Sequence, residues 1–417
     1  MSISLMFRFT VGLVVVLLGS QAIAGGFDYS DQGIDLLLKP GNSVEAGYKY
    51  VKPSRNFSNI RRTGISQQAS ENGNFVEDLH IPHFRLKYDI NKSLGCLLAY
   101  RFPYGTDQDH GTSWEGRYYA TTTDLDVQSL GVDCAYARPL SAESRLLYIG
   151  GLRIERADVE LGSQASSAAV TRGANLAGGD SSVSNELDST EIGYTLGFAY
   201  QIPKKGVSIS VVYNSAIDHD YRGTQRLRVP AGVLGASGAV LERPISLQVT
   251  NPQSLQINAS MGVAPGWAAL AIARWVDWSV LDEIAIKNEQ TGAVSSAGVG
   301  WGDTWTVGLG AAHRLRKTLG IYGVAFFDED ASNDRVRGAR TSVADGVGLT
   351  LGLNAALSKQ SYIKASITAK RLSSTNTEGY LPTQTSGASD PLAGANFTAT
   401  TEASTVYALK LIAGRRF

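Results

Sequence analysis

The sequence predicts an all-β protein, a transmembrane antiparallel β-barrel of about 14 strands. Three observations predict this fold class. Large apolar residues alternate with small or polar residues at a period of two over most of the chain. Glycine is abundant, at 45 of 417 residues, while only 18% of the residues are charged. Short and long connecting segments alternate between the predicted strands, as they do in outer-membrane barrels.

The alternation is clearest between residues 190 and 202. Ile192, Leu196 and Phe198 share one face of this segment, whereas glycine, threonine and alanine dominate the other. Successive side chains of a strand point to opposite faces, so the segment is a strand with one apolar side. A soluble sandwich would carry many lysines and glutamates on its second face, but here that face holds small residues, which is typical of outer-membrane barrels. The glycine content and the missing 3.6-residue period exclude helices.

Both ends of the chain fit this class. Residues 1–24 place Arg8 before a short apolar stretch and end on Ala22-Ile23-Ala24, which is typical of a cleaved signal peptide. The alternative, a membrane anchor, needs about 20 apolar residues. Residues 407–417 alternate and finish on Phe417, which resembles the assembly signal of bacterial outer-membrane barrels. We therefore expect a multi-pass barrel in the outer membrane of a Gram-negative bacterium, in contact with the barrel assembly machinery, membrane lipid and lipopolysaccharide.

The connecting segments predict an even number of strands. Short turns alternate with long connectors rich in Ser, Thr, Asn and Gly, and the alternation starts and ends in phase. The long connectors are 54–74, 105–116, 161–188, 219–239, 288–300, 328–342 and 374–398. The fourteen predicted strands are 43–53, 75–90, 94–104, 117–138, 144–160, 189–203, 206–218, 240–263, 267–287, 301–315, 318–327, 343–358, 361–373 and 399–417.

Four stretches of the mature sequence carry a resemblance to a known family. They are Gly25-Gly26-Phe27, residues 94–136, residues 244–284 with their Ala-Pro-Gly-Trp turn and Trp-Ser segment, and residues 301–375. In order and spacing they resemble the FadL/TodX family, outer-membrane transporters of long-chain fatty acids and other hydrophobic compounds. The resemblance implies a fourteen-stranded barrel closed by an N-terminal hatch. It divides the chain into a signal peptide at 1–24, a hatch at 25–42 and a barrel at 43–417.

The resemblance also implies a route for the transported compound. Loops would capture a hydrophobic ligand, a lumenal pocket would hold it, and displacement of the hatch would release it from a monomeric barrel. Phe27 near the hatch tip and Pro40 at its end are the expected gate residues, although the family often has Asn-Pro-Ala where this chain has Lys-Pro-Gly. The third strand of the family opens a lateral exit, and Pro103 and Gly105 stand at the end of that strand here. Simple strand termination before a loop is the alternative, since neither residue suits an unbroken ladder.

Inward-facing cations are the candidate partners of a ligand carboxylate. An apolar ligand also needs apolar lumenal surface, for which Leu97 is the candidate. The alternative role of these cations is an ion-pair network with carboxylates such as Glu45 and Glu155. Arg274 is anomalous, because a period of two from Leu270 and Ile272 turns it toward lipid. The candidate ligand-binding cations are Arg85, Lys87, Arg101, Arg153, Lys364 and Lys370.

Cys96 and Cys134 are the two cysteines of the chain. Each lies a few residues from a short turn, so both would stand at similar depth on the outward face if the third and fourth strands pair. A cross-strand disulfide is compatible with this placement in an oxidising compartment. The alternative, two free buried thiols, is the state that we expect.

Composition and motifs exclude several functions. The formal net charge is zero, with 38 basic and 38 acidic residues, which argues against nucleic acid as a partner. No Cys/His spacing predicts a metal site, so neither metal nor another cofactor is expected. An outer-membrane hydrolase is one alternative, with the loop clusters at 107–110 and 218–220 as its candidate sites, but no G-x-S-x-G or H-E-x-x-H motif occurs. A general diffusion porin is the other, and the low charge disfavours it. We expect no enzymatic activity.

Overall fold

The structure is a computed structural model that describes residues 26–29, 33–62, 70–166, 179–233, 237–334, 337–379 and 397–417. The predicted signal peptide at 1–24 lies outside these residues. Secondary structure in the described part is almost entirely β, with four short 3-10 helices at Ile34–Leu36, Pro203–Lys205, Trp278–Val280 and Ala339–Thr341. None of the helices in these ranges has the length and hydrophobicity to cross a bilayer.

The described residues form 23 strands, which we number in chain order. They are β1 (Ser43–Lys52), β2 (Phe57–Arg62), β3 (Ser70–Asn72), β4 (Leu79–Asp89), β5 (Leu94–Arg101), β6 (Gly105–Asp109), β7 (Thr122–Pro139), β8 (Arg145–Ala165), β9 (Ser181–Ile202), β10 (Val207–Asn214), β11 (Ile217–Val229), β12 (Ala239–Asn251), β13 (Ser254–Ala264), β14 (Trp267–Val276), β15 (Glu283–Asn288), β16 (Val294–Gly298), β17 (Thr304–Arg316), β18 (Leu319–Asp328), β19 (Gly346–Ala356), β20 (Ser361–Leu372), β21 (Thr375–Gly379), β22 (Phe397–Thr401) and β23 (Ser404–Arg416).

Fourteen of these strands close into one antiparallel barrel, which confirms the predicted fold class and strand number. The last strand, β23, pairs with the whole length of β1, from Ser43 opposite Arg416 to Lys52 opposite Tyr407. Closure pairs the first barrel strand with the last, which suits a lipid environment because lipid offers no hydrogen-bond partners to a sheet edge. The order around the barrel is β1, β4, β5, β7, β8, β9, β10, β13, β14, β17, β18, β19, β20 and β23.

Side-chain exposure separates a lipid face from a lumenal face. Ile192 is 67% exposed and Leu309 is 72% exposed, whereas the intervening residues of β9 and β17 are mostly buried or half-buried. The predicted alternation is therefore confirmed for these strands. It is wrong for β14, where Leu270, Ile272 and Arg274 are buried and the outward positions are mostly alanine. Arg274 thus faces the lumen, because the larger aliphatic residues of this strand, Leu270 and Ile272, lie on its inner face.

The wall continues beyond the barrel on the side of the long connectors. Segments predicted as loops form strands here, namely β6, β16 and most of β11. Each pairs with an extended neighbour, as β11 does with β12 from Ile217 to Val229. A second sheet, of β21, β22, β2 and β3, lies on the same side. Long polar segments are therefore not evidence of irregular structure in this chain, because paired strands satisfy their backbone groups.

Cys96 and Cys134 form a disulfide. They are opposite each other in the β5–β7 ladder, with their Cα atoms 4.0 Å apart. The expectation of two free thiols is therefore wrong, because the β5–β7 register places the two cysteines directly opposite each other. The bond ties β5 to β7 close to the short turns at 90–93 and 140–144.

Candidate functional site

The barrel wall has a gap between β4 and the segment that joins β5 to β6. The β4–β5 ladder ends at Phe84 opposite Tyr100, although β4 continues along β1 up to Leu79. The chain leaves the wall after Arg101 and rejoins β7 at Gly105. Pro103 lies in this kink, where its missing N–H removes one ladder bond. Within residues 70–166 no ladder pair joins β4 residues 79–83 to the kink, so the wall is not hydrogen-bonded there.

The N-terminal tip, residues 26–29, pairs with the kink. The Tyr29 N–H donates to the Pro103 carbonyl and the Gly105 N–H donates to the Phe27 carbonyl, each over 2.9 Å. Asp28 forms an antiparallel bridge with Tyr104. The tip therefore acts as a short added strand on the inner side of the kink, and it satisfies backbone groups that leave the barrel ladder.

Tyr29 covers the gap from within. Its ring packs with Leu79 and Ile81, the β4 residues beside the gap, and it is 7% exposed. Gly105 allows this approach, because a β-carbon there would lie 2.7 Å from Cζ of Tyr29 and closer still to its hydroxyl. The glycine at this position is thus required by a side chain that is 76 residues away in the sequence.

An aromatic cluster adjoins the tip in the lumen. Phe27 packs against Trp301 with their ring centroids 5.2 Å apart, and Trp278 meets Trp301 edge-on at 5.1 Å. Tyr104 contacts Trp278 at 5.6 Å. Leucine, isoleucine and valine side chains of β9, β12 and the β14–β17 region complete the cluster. The cluster is apolar throughout, as a site for an apolar ligand requires.

Three arginines lie in a small polar pocket beneath the kink, and each has a carboxylate partner. Arg101 Nη2 is 3.3 Å from Asp133 Oδ2, Arg153 Nε is 2.8 Å from Glu155 Oε1, and Arg274 Nη2 is 2.6 Å from Asp28 Oδ2. Arg153 also donates to the main-chain carbonyls of Tyr194 and Ser215, where the β9–β10 ladder ends. The pocket is lined by Asp28, Arg101, Pro103, Tyr104, Ser129, Arg153, Glu155, Asn214 and Arg274.

The rest of the N-terminal segment, residues 33–42, forms ion pairs with one side of the wall. Arg85 bonds both Asp35 and Glu45, and Lys364 Nζ lies 2.6 Å from Glu45 Oε1. Lys39 Nζ is 3.2 Å from Asp35 Oδ2. Burial alone would raise the pKa of Asp35, but the Arg85 guanidinium and the Lys364 ammonium outweigh it and hold that pKa well below its usual range.

The opposite side of this segment is apolar. Leu36, Leu37 and Leu38 are 2–3% exposed and pack against inward-facing residues of β5, β7, β8, β9 and β10. Leu97, predicted to line a ligand pocket, belongs to this contact and is 0% exposed. The apolar inner wall at this depth is therefore covered by the N-terminal segment itself.

The remaining predicted site residues lie farther from the tip. Lys87 Nζ contacts Asp89 Oδ1 at 2.5 Å and the Gly41 carbonyl at 2.9 Å, and so connects β4 to the link before β1. Pro40 is exposed in the same link. Lys370 pairs with Asp328. All six predicted cations are thus in ion pairs, and their role in ligand binding stays a prediction.

The sequence did not indicate Asp28, Tyr29, Arg274, Trp278 or Trp301 as site residues. Arg274 was the one detectable signal, because a charge assigned to the lipid face is anomalous. In the part of the chain that the structure describes, no group of three or more His, Cys, Asp or Glu side chains could hold a metal ion.

The protein is similar to known outer-membrane proteins along nearly its whole length. A long-chain fatty acid transport protein of Escherichia coli O6:H1 is 21% identical over 345 residues, which cover 77% of this chain and 75% of the relative. A FadL homologue of Pseudomonas aeruginosa superposes with a TM-score of 0.78 at 15% identity, covering 95% of this chain and 97% of the homologue.

The toluene transporter TodX of Pseudomonas putida superposes with a TM-score of 0.64 at 13% identity, covering 96% of this chain and 99% of the transporter. These superpositions show a shared fold. Residues 35–417 match the family model for outer membrane protein transport proteins (OMPP1/FadL/TodX). The closed barrel and this match together place the chain in the outer membrane. The protein belongs to the OMPP1/FadL/TodX family of outer-membrane transport proteins.

Proposed function

We propose that this protein takes up hydrophobic compounds passively and releases them sideways through the gap between β4 and the kink. The observation that carries the proposal is the position of the tip, which pairs with the kink over 2.9 Å while its side chains bridge the gap and the aromatic cluster. A solute bound in the aromatic cluster would compete with Phe27, and loss of that contact would free Tyr29 from the gap. The relatives suggest long-chain fatty acids or toluene as solute classes.

The proposal also covers the division of the chain and the partners of the protein. Residues 1–24 are a signal peptide that is removed, residues 25–42 are a hatch, and residues 43–417 are the barrel. The tip at residues 26–29 moves during transport, whereas residues 33–42 of the hatch stay seated, because ion pairs and apolar contacts hold them on opposite sides of the wall. The protein acts as a monomer, is inserted by the barrel assembly machinery, contacts lipid and lipopolysaccharide, and performs no chemical step.

A reversible lock of the tip tests the lateral route. Asp28 and Tyr104 are bridge partners, so cysteines at both positions are placed to form a disulfide that holds the tip on the kink. The pair is introduced into a variant in which Cys96 and Cys134 are serine, and uptake of labelled oleate and toluene into proteoliposomes is measured. We expect uptake to fall at least about tenfold on oxidation and to recover on reduction.

Three controls define the outcome. The serine background and the two single-cysteine variants serve as controls. Each of them should transport at the same rate after oxidation as after reduction. Unchanged uptake in the oxidised lock would contradict lateral release past the tip. Rapid swelling of the proteoliposomes in small sugars, without uptake of either hydrophobic compound, would instead identify a diffusion porin.

A further inference from the structure

Two tryptophans in the aromatic cluster bury indole N–H groups without an acceptor. Trp278 is 2% exposed and Trp301 is 4% exposed. Neither Nε1 atom has a hydrogen-bond partner among the described residues. A buried tryptophan usually finds a partner for this donor, because an unsatisfied buried N–H is unfavourable. Two unsatisfied donors on adjoining rings of one apolar cluster therefore need an explanation.

Both indole rings lie next to the N-terminal tip. A β-carbon built on Gly26 would be 2.9 Å from Nε1 of Trp278, so the indole edge that carries the donor faces the tip. Trp301 packs directly against Phe27. A solute that replaces the tip in this cluster would lie against both indole rings, and an oxygen on the solute could accept from the unsatisfied N–H groups.

The charges nearby do not favour an anion. The three arginines next to the cluster are each matched by a carboxylate, within 2.6–3.3 Å. A carboxylate ligand would have to compete with Asp28, Glu155 or Asp133 for its cation. An uncharged ligand has no such competition, and it enters an apolar site without the desolvation penalty of an ion.

We propose, on the basis of the transport function proposed above, that this site selects uncharged hydrophobic compounds that carry a hydrogen-bond acceptor. Ketones, aldehydes, esters and ethers on an aromatic or aliphatic body are the expected class. Trp278 and Trp301 are the donors that recognise the oxygen. Hydrocarbons of the same shape leave the donors unsatisfied, and ionised carboxylates find no unmatched cation.

Three one-ring probes test this specificity with the full mature chain in detergent. Acetophenone carries a carbonyl, α-methylstyrene has the same skeleton with a methylene in place of the oxygen, and benzoate is charged. Equilibrium dialysis gives each dissociation constant after correction for partition into empty micelles. We expect acetophenone to bind about tenfold tighter than α-methylstyrene, and benzoate to bind more weakly than acetophenone.

The W278F/W301F variant separates recognition from packing. It should lose the preference for acetophenone while its affinity for α-methylstyrene stays within about twofold, because phenylalanine keeps the apolar contact and removes the donor. Trp305→Phe is the matched control, since Trp305 is 46% exposed on the outer face of β17, and its preference should equal that of the wild type.

Several results would overturn the inference. If the wild type bound acetophenone and α-methylstyrene with equal affinity, the inference would be overturned. This comparison needs no variant, so it holds even if the double substitution prevented folding. Persistence of the preference in W278F/W301F, or tightest binding of benzoate, would also overturn the inference. In these cases the transport function stands. Binding of none of the three probes by the wild type would overturn the inference and the proposed function together.

Discussion

Asp28 and Arg274 form a buried ion pair that fastens the N-terminal tip to the wall. Nη2 of Arg274 lies 2.6 Å from Oδ2 of Asp28, and the two side chains are 7% and 1% exposed. The backbone of the same tip is bonded to the kink through Tyr29 and Gly105. The tip is therefore held in two ways. Its Asp28 side chain pairs with Arg274 of β14, and its main chain is hydrogen-bonded to the kink.

Asp28→Asn should loosen the tip. The substitution leaves Arg274 buried without its charge partner, which costs about 3–5 kcal/mol in buried pairs. The tip can relieve this cost by leaving its site, so we expect amide hydrogen exchange at residues 26–29 and 103–105 to accelerate at least about tenfold. Glu143→Gln is the control, because the Lys204–Glu143 pair is 73% and 52% exposed and should matter little. Equal exchange in both variants would show that the pair does not hold the tip.

Gly105→Ala should open the gap. The added β-carbon would lie 2.7 Å from Cζ of Tyr29, so the ring must move away from Gly105 and leave its place in the gap. We expect the initial rate of hydrophobic-compound uptake into proteoliposomes to rise at least about threefold, because a displaced cover no longer limits release. Gly150→Ala on β8 is the matched control, since its β-carbon has no neighbour within 4 Å. A slower rate in Gly105→Ala than in the control would mean that Tyr29 does not block the exit.

Acid should destabilise the aromatic stack of Phe75, His110 and Trp114, which lies beyond the barrel strands. The His110 ring stacks on Phe75 at 4.3 Å and on Trp114 at 4.8 Å, between β6 and β7. Burial, with a smaller contribution from Arg340, lowers the pKa of His110 from 6.5 to about 3. The unfolded segment keeps a pKa near 6.5, so it binds the proton first. Stability is therefore complete above about pH 6.5 and falls as the pH drops toward 3, by up to about 5 kcal/mol.

Hydrogen exchange of residues 57–62 and 110–114 between pH 7 and 4.5, corrected for intrinsic rates, measures this effect. Protection should decline with acid in the wild type. His110→Phe should keep the stack and remove the decline, because phenylalanine does not titrate. A decline of the same size in His110→Phe would assign the acid sensitivity to other groups.

Removal of the Cys96–Cys134 bond should weaken the barrel without changing its fold. The bond closes a loop with a sequence separation of 38, and bonds of this kind contribute about 2–4 kcal/mol. The C96S/C134S variant should therefore lose its heat-modifiable gel shift at a lower temperature than the oxidised wild type, and at the temperature of the reduced one. Mass spectrometry should find no alkylated cysteine before reduction and two after it. Two alkylated cysteines without reductant would exclude the bond.

The local sequence pattern was sufficient to predict the fold class and the number of barrel strands of this protein. Side chains of β9, β17 and β19 alternate as predicted, because a lipid face must be apolar and a lumen filled by other residues favours small ones. The same rule failed at β14, where both faces are apolar. There, alternation identifies two faces but does not say which is the inner one, so Arg274 was assigned to lipid.

The candidate site depends on contacts that no local pattern contains. Asp28 meets Arg274, and Tyr29 meets Gly105, only because barrel closure brings distant strands around the N-terminal segment. The sequence offered Glu45 and Glu155 as ion-pair partners of the predicted cations, but which cation pairs with which carboxylate, and the part taken by Asp35 and Asp133, depended on the assembled barrel. By itself the sequence determined a fourteen-stranded outer-membrane barrel, since the period of two is a local property. The tertiary structure alone decided what covers the gap and which donors face the site, because those depend on long-range packing.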